Sequence, residues 1–151
     1  MISQTAEYAL RAIVYLGNHA GEPCTTAQLA TETEAPPSYL AKVMKGLVRA
    51  GMVGSQRGLH GGFTLTQDPN DISILDVVNS VDAFARIKSC PLGRPAHSSG
   101  LCPLHRQLDN VMAVAERSLQ AITIGELLDE PGLFCSMACV GESVAVQDGA
   151  V

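Results

Sequence analysis

From Ser38 to Gln67 the chain carries Lys42, Lys45, Arg49 and Arg57 and not one Asp or Glu, although its net charge is −5. This acid-free window constrains the fold strongly, because its two halves follow different periods. The first half, PSYLAKVMKGLVRAG, spaces Leu40, Val43, Met44 and Leu47 as one buried face of a helix. Its other side presents Ser38, Tyr39, Lys42, Lys45 and Arg49. Pro36 and Pro37 break whatever precedes it, Pro37 suits a first helical turn, and Gly51 ends the helix. The second half holds two short β-prone runs, MVGSQ and FTLT, around the turn RGLHGG, whose glycines permit positive φ.

Upstream, Ala6, Ala9, Leu10, Ile13, Val14 and Leu16 predict an amphipathic helix over residues 4–19. Thr25 or Thr26 can cap a second helix, TAQLATET, with Ala27, Leu29 and Ala30 on its apolar side. Helix, helix, basic helix and glycine-tipped hairpin is the order of a winged helix-turn-helix. In that layout the third helix enters the major groove, and the hairpin follows the backbone or the minor groove. A local basic face on an acidic chain fits a polyanion such as double-stranded DNA.

Downstream, Ser73 with Asp76 caps a helix in DISILDVVNSVDA, and Thr123 with Glu126 opens a short one in TIGEL. Between them PLHRQLDNVMAVAERSLQAI reads as a long helix. Its Leu104, Leu108, Val111, Ala115 and Ile122 form a four–three seam broken at Ser118, which suits a partner helix and predicts a homodimer, with packing inside its own subunit as the alternative. The expected fold class is mostly α with a small β-hairpin wing: a winged helix-turn-helix plus a long dimerisation helix. The expected divisions are a DNA-binding domain at 1–83, a ligand loop at 84–103, dimerisation and capping helices at 104–130, and a tail at 131–151.

Composition agrees. A chain of 151 residues with 46% apolar and 17% charged residues can bury one core, and holds more apolar surface than it can hide alone. Glu7 and Arg11 interrupt the first apolar run, so no signal peptide is read there. No stretch of about eighteen apolar residues could span a bilayer. A cytoplasmic protein with reduced thiols is expected, and its five Cys read as ligands, sensors or core residues rather than a disulfide framework.

Two of those Cys fall in SCPLGRPAHSSGLCPLH, residues 89–105, with two His, three Pro and two Gly. Thiolates bind iron and zinc strongly, and imidazole is the next ligand of comparable softness. The C-x2-H spacing of Cys102 and His105 places both within one helical turn. Cys90 or Cys102 as an enzyme nucleophile lacks an accompanying acid, a glycine-rich pocket and oxyanion donors, so no enzyme is expected. Cys24 reads as a core or loop thiol, and Cys135 and Cys139 carry no assigned role.

The chain resembles the Rrf-two family of bacterial winged-helix regulators, which includes the iron–sulfur cluster regulator and the nitric-oxide-sensing repressor. The matching stretches are TAEYALRA at 5–12, PPSYLAKVMKGLVRAGMV at 36–53, RGLHGGFTLT at 57–66, ILDVVNSVDA at 74–83, the Cys-bearing loop and TIGELLDE at 123–130. The resemblance implies a homodimer on a pseudo-palindromic operator. Ser38, Tyr39 and Lys42 would begin the recognition helix, with Lys45 and Arg49 further along its basic side, and Arg57, His60, Gly61 and Gly62 would form the wing. Tyr39 has an alternative use, packing beneath its own helix.

Clustered members of the family often carry three Cys, with five residues between neighbours, and some add a His three residues after the last. Here Cys90 and Cys102 occupy the outer positions, Ala96 the middle one and His105 the last, with His97 beside Ala96. The implied ligands are Cys90, Cys102, His105 and His97, with Glu7 from the other subunit as a further candidate. Mixed Cys/His ligation leans towards a 2Fe–2S rather than a 4Fe–4S cluster. A zinc ion at Cys90, Cys102 and His105, a Cys90/Cys102 disulfide switch, and plain buried thiols remain alternatives.

Overall fold

A computed structural model of the chain describes residues 2–91 and 100–130. Helix α1 (Gln4–Asn18) is capped by Ser3, whose hydroxyl accepts from the Ala6 N–H at 3.2 Å. Small side chains at Ala6, Ala9 and Ala12 are fully buried with Ile13, Val14 and Leu16, so α1 runs through the middle of the core. The helices at Thr26–Thr33, Pro37–Arg49, Ile74–Val81 and Ile124–Asp129 and the strand Gly62–Leu65 all pack on it.

Helix α2 (Thr26–Thr33) starts at a capping box formed by Thr25 and Gln28, which selects Thr25 as the cap. Its buried face differs from expectation: Leu29 and Thr33 point inward, Ala30 is half-buried and Ala27 is exposed. Thr33 is accepted in the core because its hydroxyl donates to the Leu29 carbonyl.

Helix α3 (Pro37–Arg49) begins at Pro37 and buries Leu40, Val43, Met44 and Leu47, as its spacing predicts. It closes with the Gly51 N–H on the Val48 carbonyl at 3.0 Å and the Met52 N–H on the Leu47 carbonyl at 3.2 Å. That turn passes directly into the wing, formed by β1 (Val53–Gln56) and β2 (Gly62–Leu65). The strands are antiparallel, with Val53 opposite Leu65 and Gln56 opposite Gly62.

The wing has a third participant. Cys24 and Phe63 exchange both backbone hydrogen bonds, at 2.9 and 2.8 Å, so the segment before α2 pairs with the outer side of β2. A Cβ on Gly62 would lie 2.7 to 3.0 Å from Cys24 backbone atoms, so this pairing admits only glycine there.

A turn at Pro69–Asp71 leads to α4 (Ile74–Val81), where Ser73 and Asp76 form the expected box. The long helix α5 (Pro103–Ala121) packs against α4 and has no fully buried residue. Helix α6 (Ile124–Asp129) opens at the Thr123–Glu126 box and returns to α1. Ile124 is fully buried in the α1 core, and its N–H donates to the Ile72 carbonyl at 2.8 Å. The Ile74 N–H donates to the Ile122 carbonyl at 3.0 Å, completing a clasp between the two segments.

Candidate nucleic-acid interface and metal centre

Ser38, Lys42, Lys45 and Arg49 are exposed along α3, and Arg57 and His60 are exposed at the wing turn. Among the described residues, Lys42, Lys45, Arg49 and Arg57 make no ion pair with a carboxylate. Four unneutralised cations on one helix and the adjoining hairpin suit phosphate groups, whose counterions they would displace.

Tyr39 sits differently from its neighbours. It is half-buried, its hydroxyl is hydrogen-bonded to Thr5 Oγ1, and its ring meets Tyr8 edge-on with centroids 5.9 Å apart. Tyr39 is thus a strut from the start of α3 to the start of α1. Gly61 and Gly62 are half-buried where the wing closes, and Gly62 is required by its contact with Cys24.

The loop ligands converge. Cys90 Sγ lies 3.6 Å and Cys102 Sγ 3.2 Å from Nδ1 of His105. The three donor atoms lie within 4.8 Å of one another, and all three residues are half-buried. Two elements create this meeting. Cys102 is the N-cap residue of α5, so His105 falls one turn in on the same side. Cys90 arrives from the opposite direction along residues 82–90.

That second segment is fixed by Arg86. Its Nε and one terminal nitrogen each donate to Asp109 of α5 at 2.7 Å, and the other terminal nitrogen donates to Glu116 at 2.9 Å. The Ile87 N–H adds a bond to Asp109 Oδ1 at 3.0 Å. Hydrogen bonding from Arg86, aided by the Ile87 N–H, holds the Asp109 carboxyl below its ordinary range, and the same pair raises the Arg86 guanidinium. Arg86 and Asp109 stand 23 residues apart in sequence, with no local signature to link them.

Glu7 lies on α1 in an ion pair with Arg11, which also donates to the Thr33 carbonyl at 3.2 Å. It is outside the Cys90–Cys102–His105 group. His97, Cys135 and Cys139 lie outside the described residues. Cys24 is buried behind the wing; burial first, and Glu22 second, push its thiol up.

A family model described as Rrf2, iron-dependent transcriptional regulator, matches residues 2–130. The chain belongs to the Rrf2 family. An rrf2-like HTH-type transcriptional regulator of Rhodobacter capsulatus is 35% identical over 139 residues, spanning 85% of this chain and 92% of the relative. The HTH-type transcriptional repressor NsrR of Streptomyces coelicolor is 26% identical over 132 residues, spanning 86% and 89%. Among solved structures, T. potens IscR superposes with a TM-score of 0.69 at 23% identity, covering 85% of each chain. That likeness confirms the winged-helix fold expected from the hairpin and basic helix. As an Rrf2-family member the chain is a DNA-binding transcriptional regulator and not an enzyme. No helix among the described residues is long and apolar enough to cross a membrane.

Proposed function

We propose that a cytoplasmic homodimer of this chain represses transcription from a pseudo-palindromic operator, with its DNA affinity set by a 2Fe–2S cluster held by Cys90, Cys102 and His105. The observation that carries this reading is the convergence of two thiols and an imidazole nitrogen within 4.8 Å, from opposite ends of a loop in an iron-dependent family. The donors fit the group: two sulfurs and one nitrogen are the atoms that iron–sulfur clusters accept in mixed Cys/His sites. When bound, the cluster supplies a centre that responds to oxidants, nitric oxide or iron supply.

The chain's own residues convert occupancy of that site into position. Cys102 and His105 belong to the first turn of α5, whereas Cys90 ends the segment that Arg86 pins to the same helix. Joining the three donors therefore fixes the loop against α5. The exposed apolar residues of α5, Leu104, Leu108, Val111 and Val114, supply the dimer face. Val114 was not part of the expected seam, and Ala115, which was, is half-buried. Glu7 of the partner subunit is the proposed fourth ligand, and reaching a cluster requires it to leave Arg11.

On the DNA side, Ser38, Lys42, Lys45 and Arg49 take the major groove and its phosphates, and Arg57 and His60 take the minor groove. Tyr39, Gly61 and Gly62 hold the shape of that surface. A second reading, one tetrahedral zinc ion, is favoured by the two S···N distances of 3.2 and 3.6 Å. Zn–S and Zn–N bonds of ordinary length give an edge of about 3.6 Å.

Anaerobic purification with iron, sulfide, zinc and visible absorbance measured on one sample tests both. Coloured protein with equal iron and sulfide, lost in Cys90→Ser and Cys102→Ser together with operator affinity, is the expected result. Colourless protein with one zinc per chain supports the second reading. Protein without metal whose operator affinity ignores both serines overturns both.

A further inference from the structure

Leu59 stands at the apex of the wing and is 97% exposed. The turn that carries it is closed by the Gly61 N–H on the Gly58 carbonyl at 3.0 Å, with Gly58 at φ 119°. Such a turn lifts one side chain clear of the sheet and holds it there. Arg57 and His60 are exposed beside it, with Gln56 and Gly58, and no acid occurs between Ser38 and Gln67. Among the described residues, the other large exposed apolar ones are on other elements: Ile2 near the start, Leu104, Leu108, Val111 and Val114 along α5, and Ile122 just beyond it. The α5 face therefore does not account for Leu59.

We propose that Leu59 is an apolar wedge that enters the minor groove of bound DNA and opens a base step, bending the duplex at each wing. The inference rests on the DNA-binding reading and adds a contact to it. Charge complementarity identifies the occupant, because Arg57 draws the hairpin tip, in a stretch without acids, into a narrow, strongly negative groove. Once there, a leucine tip can only pack against sugar walls or between bases. Partial unstacking by an inserted leucine, at a flexible pyrimidine–purine step, kinks DNA towards the major groove. Specificity then arises at a position where no hydrogen bond is made.

The test uses the full chain as purified and duplexes that it selects from a random library. Affinity, bend angle by fluorescence energy transfer, and unstacking by 2-aminopurine at the selected step are measured for wild type, Leu59→Ala, Leu59→Met, Arg57→Ala and Lys42→Ala. Leu59→Ala is expected to fold normally, bind about tenfold more weakly, and lose both the bend and the 2-aminopurine signal. Leu59→Met keeps the bend. If Leu59→Ala binds and bends DNA like wild type while Arg57→Ala binds more weakly, the wedge is wrong and the DNA reading stands. If Arg57→Ala and Lys42→Ala also leave binding unchanged, the placement of DNA on α3 and the wing falls and takes the wedge with it. A change of oligomeric mass in Leu59→Ala would assign the residue to self-association and overturn the wedge.

Discussion

Arg86 and Asp109 face each other fork to fork, with two hydrogen bonds of 2.7 Å joining the segment before Cys90 to the second turn of α5. Neither residue belongs to the Cys90–Cys102–His105 group, yet the pair ties the segment that ends at Cys90 to the helix that carries His105. Arg86→Ala should lower metal affinity on the order of tenfold while leaving every ligand in place. Metal per chain after dialysis against a graded chelator measures this. Arg86→Lys should recover little, because an ammonium cannot make the two-pronged contact.

The same pair sets an acid limit. Asp109 has a folded-state pKa below its ordinary value, so its contribution is present above that ordinary value, 3.8, and is lost as pH falls through the depressed one. Stability should therefore decline below about pH 4 in wild type. Asp109→Asn should remove this component, making the acid decline shallower. Chemical unfolding followed at several pH values reads the difference.

Tyr39→Phe removes only the hydroxyl that meets Thr5, and should cost about 1 kcal/mol of folding stability. Thr5→Ala should cost a similar amount, and the double variant little more than either alone. Denaturant midpoints for the three variants close the cycle. Additive losses would show that the two hydroxyls do not act as a pair.

Gly62→Ala forces a methyl group to within 3.0 Å of the Cys24 backbone. The strand must move away, at a cost of about 1–3 kcal/mol. The expected result is a lower melting temperature together with weaker DNA binding, since the wing loses its backbone bridge to Cys24. Faster alkylation of Cys24, which is buried behind that strand, checks the same displacement.

Val111→Glu introduces a charge into the middle of the exposed apolar side of α5, where Val111 is 68% exposed in the single chain. A monomer fold barely notices an exposed substitution, whereas an isologous interface receives the charge twice. Light scattering should show a fall from dimer to monomer mass with unchanged circular dichroism.

Much of this architecture was legible from residue order. Pro37, the capping pairs Ser73–Asp76 and Thr123–Glu126 and the buried period of α3 specify helix starts and faces through contacts within a few residues, whereas the choice of Thr25 over Thr26 came from the structure. The Cys102–His105 proximity follows from the same local rule. Long-range pairings were not legible: Cys24 with Phe63, Ile72 with Ile124 and Arg86 with Asp109 depend on segments meeting in three dimensions. Thr33 replaced Ala27 inside α2 because a hydroxyl bonded to its own helix can be buried, which a hydrophobicity pattern discounts. Tyr39 is half-buried although it flanks an exposed basic stripe, because Thr5 and Tyr8 offer it a partner.

The clasp between residues 72–74 and 122–124 gives α5 a mechanical meaning. With 19 residues the helix is about 28 Å long, anchored to the winged-helix core at one end and carrying Cys102 and His105 at the other. In the proposed function it serves as a lever arm whose short stroke is at the sulfur atoms. A tilt of about 5° at the Cys102 end displaces the far end by roughly 2–3 Å over that length. Because Ile124 is buried beside α1, such a displacement would, in the proposed function, be delivered to the helix on which α3 and the second wing strand pack.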